Sequence, residues 1–168
     1  MAFSLTLDES KIYPPLPTLQ EVKQEACKRI NYVISAEILN GFDYDVKGTT
    51  YHFSFGTEDQ ANFVQESIRA STANAQGLGD SYTATWRGHL PDGSAVSLTF
   101  TLTEFMTLLM YSGTWKGNIL AKGWEYKNAI QACETKLAVE EYLDSINIDA
   151  MEKTARERLK QLEGGDAA

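Results

Sequence analysis

Phe42-Asp43-Tyr44-Asp45-Val46-Lys47-Gly48-Thr49-Thr50-Tyr51-His52-Phe53-Ser54-Phe55 is the stretch from which the fold is read. Side chains alternate across a strand with a period of two. Phe42, Tyr44 and Val46 therefore share one face and Asp43 and Asp45 the other, while Tyr51, Phe53 and Phe55 repeat the pattern against His52 and Ser54. Lys47-Gly48 supplies a two-residue turn between them. The product is a β-hairpin with one aromatic face, which other elements must cover.

Working outward, Thr18 and Glu21 form a capping box, and Leu19, Val22, Ala26, Ile30, Val33 and Ile38 recur at helical spacing up to the stop at Asn40-Gly41. On the other side of the hairpin, Thr57 with Gln60 predicts the cap of a second helix carrying Ala61, Val64 and Ile68, fraying into a loop over Ser71 to Gly79. A second hairpin follows. Tyr82, Ala84 and Trp86 alternate with threonines, Pro91-Asp92-Gly93 turns the chain, and Val96, Leu98 and Phe100 alternate on the return. Both hairpins can join one antiparallel sheet.

Thr101 and Glu104 make another capping box, opening a helix of some thirty residues marked by Leu102, Phe105, Leu109, Ile119, Tyr126, Ile130 and Cys133. Gly113, Gly117 and Gly123 interrupt it. Each costs about 1 kcal/mol in a helix interior, so they predict either a kink or a close approach by another backbone. Beyond Glu134, Val139, Leu143 and Ile146 suggest a short helix, and Asp149 with Glu152 the cap of another holding Met151, Ala155, Leu159 and Leu162. Before the first helix, Phe3, Leu5 and Leu7 alternate with Ser4 and Thr6, and Pro14, Pro15 and Pro17 favour an extended spacer. The expected fold class is α+β: a small antiparallel sheet from two β-hairpins packed against helices, with an extended N-terminal arm over residues 1–17, a domain over 18–134 and a helical C-terminal extension over 135–168 with a loose end.

Composition narrows the function. The 168 residues carry a net charge of −8, which argues against nucleic acid, since phosphate binding requires clustered Lys and Arg. No apolar run approaches the ~20 residues that span a bilayer, and Met1 to Ser10 lacks the basic and apolar parts of a signal peptide, so the expectation is no membrane partner and a cytoplasmic start. Cys27 and Cys133 lie on helical patterns and read as small buried apolar residues.

Catalytic, cofactor and metal constellations are not found. The chain has only two histidines, His52 opposite the aromatic face of its strand and His89 before a turn, both expected to face solvent. No nucleophile elbow occurs, and Gly113-Thr114-Trp115-Lys116-Gly117 has its glycines and lysine in the wrong order for a phosphate loop. Asp43 and Asp45 could serve as an acid–base pair or a Ca²⁺ site, but alternating acid on a wet hairpin face is more often protection against edge pairing. Trp86 falls on the apolar side of its strand and is expected in the core. Candidates for a partner interface are Phe3, Leu5, Leu7, Ile12 and Tyr13 in the arm and Met110, Tyr111 and Trp115 in the glycine-interrupted helix, because aromatics and Met are enriched at protein contacts. Trp115 and Trp124 could equally serve a helix packed across the sheet. The arm could form a first strand of the domain's own sheet or a strand donated to a neighbouring subunit.

Arg29-Ile30, Leu39-Asn40-Gly41-Phe42, Tyr44, Gly48, Tyr51, Phe53 and Asp59-Gln60-Ala61-Asn62-Phe63 together resemble the opening of a domain of unknown function, DUF4376, found in tail proteins of phages and prophages. Trp86-Arg87, Asp92-Gly93, Ser97-Leu98-Thr99, Glu104-Phe105, Lys127, Ile130 and Ala132 resemble its second half, so the likeness covers about residues 25 to 135. The long helix of such proteins often carries a His in its middle, where this chain has Gly113 to Gly117. The resemblance implies a virion tail context, near the baseplate or fibres, with host cytoplasm as the place of assembly. It implies other phage tail proteins as partners, homo-oligomers among the options, and supplies no catalytic residue. The leading expectation is therefore a non-enzymatic structural component of a tail. An assembly chaperone absent from the mature virion comes second, and a small cell-wall hydrolase a distant third.

Overall fold

The computed structural model describes residues 16–165, so the arm and with it Phe3, Leu5, Leu7, Ile12 and Tyr13 lie outside the described residues. Helix α1 spans Leu19–Asn40, and the Thr18–Glu21 capping box is present in full, with the Glu21 N–H donating to Thr18 Oγ1 and the Thr18 N–H to Glu21 Oε2. Strands β1 (Phe42–Val46) and β2 (Thr49–Phe53) form the first hairpin, with Phe42 opposite Phe53 and Tyr44 opposite Tyr51. Lys47 and Gly48 both take positive φ, the geometry of a tight primed turn, and the Gly48 N–H donates to Asp45 Oδ1.

Helix α2 spans Thr57–Ala75 and starts one step off the predicted cap. Gly56 holds the cap position, its N–H donating to Asp59 Oδ2, while the Gln60 side chain bonds the Phe55 carbonyl. The helix also outlasts the expected loop at Ser71, because buried Ala70 and half-buried Ala73 keep its last turns on the core. A single 3₁₀ turn at Gly79–Ser81 leads into β3 (Thr83–His89), which pairs with β4 (Ala95–Thr101) from Thr83 opposite Thr101 to His89 opposite Ala95. The two hairpins form one four-stranded antiparallel sheet in the order β1-β2-β3-β4, joined through the single pair His52 and His89.

Helix α3 runs unbroken from Leu102 to Ala132, opened by the Thr101–Glu104 capping box. The glycines do not break the helix, and the neighbour met at one of them is a side chain of α1, not a backbone: a Cβ on Gly123 would lie 2.9 Å from Ile34 Cγ1, whereas Gly113 and Gly117 face open space. Helices α4 (Lys136–Ser145) and α5 (Ile148–Gly165) complete the chain, with Asn147 in the left-handed region between them.

Two apolar clusters organise the molecule. The first joins the apolar sheet face to α2 and α3 through Phe42, Phe53, Phe63, Ala84, Phe100, Phe105 and Leu108. Removing a large side chain of this kind from water contributes about 1.5–3 kcal/mol each. Trp86 belongs here as expected, its ring 4.2 Å from that of Phe63. The second cluster lies where α1, the end of α3, α4 and α5 meet, built from Ala26, Ile30, Val33, Ala36, Ile130, Val139, Leu143, Ile148 and Ala155. The C-terminal extension gives its apolar side chains to this cluster, with Val139, Leu143, Ile148 and Ala155 buried. Small alanines on the facing side of α1 let these helices pack close. Cys27 and Cys133 are free and sit half-buried at the rim of this cluster, less enclosed than expected.

Candidate interaction surfaces

Amphipathic helices normally turn their apolar stripe inward. Helices α2 and α3 do so with Phe63, Phe105 and Leu108, yet each also carries apolar residues outward. Met110 is 73 % exposed, Ile68 62 % and Val64 59 %. A shallow groove between the two helices is lined by Ser71, Asn74, Leu102, Met106 and Met110, and a second groove on α2 takes in Ile68 and the same Ser71. Ile68, Met106 and Met110 thus border two grooves that meet at Ser71. Gly113, Gly117 and the exposed Trp124 continue the outer face of α3.

The three helical residues proposed for an interface have different fates. Met110 is free. Tyr111 is split, its ring 5.0 Å from Tyr44 and 5.7 Å from Phe42 while part of it meets solvent. Trp115 packs inward, 5.2 Å from Phe42 and edge-on to Phe55 at 5.6 Å. Periodicity could not separate Trp115 from Trp124, because which arc of α3 meets the sheet is set by where β4 delivers the helix. Val64 and Ile68, on the apolar pattern that predicts α2, are exposed because Phe63 and Ala70 define the buried face.

A concavity of about 1050 Å³ lies between the polar sheet face, the start of α2 and the last turns of α5. His52, His89, Arg87, Asp59 and Asn62 border it, with Leu159 and Leu162 overhanging. Two of these polar groups, His52 and Asp59, are bonded within the fold. His52, expected to face solvent, is half-buried, with Nδ1 2.8 Å from Asp43 Oδ1 and Nε2 2.7 Å from the Asn40 carbonyl. Both ring nitrogens therefore have a partner within the fold. That ring ties the last residue of α1 to the sheet. Asp59 is held by the Gly56 N–H, and Asp43 and Asp45 are used by His52 and by the β1–β2 turn. Among the described residues, no three His, Cys, Asp or Glu side chains converge on a point where a metal ion could sit.

Two charged clusters are structural. Arg29 of α1 donates through Nε to Glu152 Oε1 at 2.8 Å and through Nη2 to Glu152 Oε2 at 3.0 Å, and it also binds Asp149. Asp149 and Glu152 therefore anchor α5 to α1 and do not form the expected cap. The hydrogen bonds from Arg29 hold the Glu152 carboxyl below the usual range, outweighing partial burial. In the second cluster, Glu66 accepts from Arg69 Nε at 2.8 Å and from the Tyr82 hydroxyl. Burial pushes Glu66 upward, but the Arg69 and Tyr82 hydrogen bonds win and its carboxyl is lowered. Burial, then Glu66, raises the Tyr82 hydroxyl well above its ordinary value. No helix among the described residues is long and apolar enough to cross a membrane.

The fold and its surfaces thus define a small α+β domain whose notable features are outward apolar side chains and internally satisfied polar groups. Residues 21–147 match the family described as Domain of unknown function (DUF4376), and the chain belongs to that family. The match runs from the first turn of α1 through α4, farther than the hairpins and the long helix alone. Searches of curated proteins and of solved structures returned no match.

Proposed function

We propose that this chain is a non-enzymatic structural component of a bacteriophage tail, in the baseplate or fibre region, acting through protein–protein contacts. The observation that carries the reading is the outward apolar surface of α2 and α3, where Val64, Ile68, Met106 and Met110 meet water without serving either core cluster. Scattered single apolar residues are ordinary on any surface, whereas neighbouring ones along two adjacent helices favour a docking face. The net charge of −8 suits a protein partner better than nucleic acid. The resemblance to tail proteins supports the setting, and the internal use of His52, Asp43, Asp59 and Glu152 supports a role without chemistry.

The reading is tested by replacing Ile68 and Met110 together with aspartate in the phage that encodes the chain. Both positions are exposed, so the variant should keep its fold by circular dichroism yet fail to enter assembled tails. Normal incorporation removes the proposal. Mass spectrometry of purified virions then separates subunit from chaperone: a tail subunit persists in the particle, and an assembly chaperone is lost from it.

A further inference from the structure

We infer that β4 is an acceptor edge for residues 2–8 of a second copy of this chain, which add to the sheet as a fifth strand. The inference goes beyond the tail reading, since it concerns self-association and holds whether or not the protein resides in a tail.

A sheet has two edges, and here they are defended unequally. β1 is five residues long and carries Asp43 and Asp45, the kind of charge that keeps a foreign strand away. β4 is seven residues long, Ala95-Val96-Ser97-Leu98-Thr99-Phe100-Thr101, without a charge, a proline or a glycine. Among the described residues, only β3 pairs with it. Among the described residues, no backbone group of Ala95–Phe100 bonds to backbone outside that ladder. Seven undefended residues at an edge are a template for strand addition.

The chain also contains a segment that fits the template. Ala2-Phe3-Ser4-Leu5-Thr6-Leu7 repeats the pattern of Ala95-Val96-Ser97-Leu98-Thr99-Phe100: alanine, apolar, serine, leucine, threonine, apolar. Placed beside β4, the segment would set Phe3, Leu5 and Leu7 against Val96, Leu98 and Phe100 on the apolar face, where Val96 and Leu98 are still partly exposed. Ser4 and Thr6 would continue the polar face begun by Thr83, Thr85, Ser97 and Thr99. Leu5 meets Leu98 whether the added strand runs parallel or antiparallel, and such cross-strand pairs are the unit of sheet stability.

Chain length points to a neighbour as the donor. The described chain begins at Leu16, which is 85 % exposed, and nine residues lie between Asp8 and Thr18, a reach of at most about 36 Å over the ten Cα steps. Lys23 donates to the Gln131 carbonyl, so α1 starts beside the far end of α3, about 44 Å of helix from the Thr101 end of β4, and the limit on the chain's own arm applies to that end of the edge. The edge of a second molecule is free of that limit, and Pro14, Pro15 and Pro17 favour a spacer that carries the segment outward.

The test uses the full chain. Light scattering on an eluting column should give a mass at least twice the 18.7 kDa of one chain, falling to that value when residues 2–8 are deleted while the far-ultraviolet dichroism persists. A full-length monomer, or a deletion variant that stays associated, overturns the inference. A second measurement fixes the site: Ser4→Cys in one sample is mixed with Ser97→Cys or Thr99→Cys in another and oxidised. All three positions are polar, and Ser97 and Thr99 are exposed, so neither acceptor variant disturbs the core. A disulfide-linked heterodimer absent from the native-cysteine control supports exchange between copies. Crosslinking only within a single chain carrying both substitutions shows that the molecule's own arm occupies the edge, and overturns it.

Discussion

At the scale of single residues, the glycines separate conformational need from accident. Gly41 joins α1 to β1 at φ 96°, and a Cβ there would lie 2.0 Å from the Phe53 carbonyl oxygen. Gly41→Ala is therefore expected to cost more than about 2 kcal/mol, read as a fall in denaturant midpoint, because the backbone strain and the collision add. Gly113 and Gly117 stand in open space on α3, so Gly113→Ala and Gly117→Ala should each raise stability by about 1 kcal/mol through helix propensity. A loss at either position would show that the outer face of α3 is covered by something. His52 has the reverse character, a polar residue on the wet side of a strand that has become a fastener. His52→Ala should cost about 1–2 kcal/mol by releasing the Asn40 carbonyl and the Asp43 carboxylate together, measured by chemical denaturation.

At the scale of elements, α5 illustrates how a weakly patterned helix is secured. Its apolar contribution is modest, with Ile148 and Ala155 buried, and the Arg29 contacts to Glu152 and Asp149 fix its position along α1. Arg29→Ala should lower stability by about 2 kcal/mol, since it strips a partly buried carboxylate of its donors. The same pair makes stability depend on acidity. The carboxyls of Glu152 and Glu66 are held below their unfolded values, so the stabilisation they bring is complete above the ordinary glutamate range and is lost as pH falls through their lowered folded values. The melting temperature should accordingly drop as pH falls below about 4.5, and Arg29→Ala should flatten the part of that slope due to Glu152. A slope unchanged in the variant would show that the pair contributes nothing to the acid response.

At the scale of the whole molecule, the two clusters are not independent modules. Helix α1 places Ile38 in the sheet cluster and Ala26, Ile30, Val33 and Ala36 in the helical one, and α3 likewise contributes Phe105 and Leu108 to the first and Ile130 to the second. Two helices shared along their length should couple the clusters, so thermal unfolding followed by tryptophan fluorescence and by far-ultraviolet dichroism is expected to give coincident transitions. Trp86 and Trp115 report on the sheet cluster, whereas the dichroism reports on helices α1 to α5 together. Separate midpoints would mean that the helical end melts alone. Truncation after Ser145 would remove Ile148 and Ala155 from the second cluster and should lower the single midpoint for both probes together.

Local patterns were enough to read the elements of this protein from its residues: the alternation of Phe42, Tyr44 and Val46, the turn at Lys47-Gly48, the capping boxes at Thr18 and Thr101, and the stop at Gly41. Each of these is a short-range effect of backbone geometry and of hydrogen bonds between residues three or four apart, which the order of residues states directly. What faces what was decided only by tertiary packing. Nothing local tells Trp115 from Trp124, exposes Val64 and Ile68 on α2, fastens His52 to the end of α1, or converts Asp149 and Glu152 from a cap into the anchor for Arg29. Those outcomes depend on how β4 aims α3 and on how closely Ala26 and Ala36 let α5 approach α1, because a contact between residues a hundred positions apart exists only after the chain has closed around it.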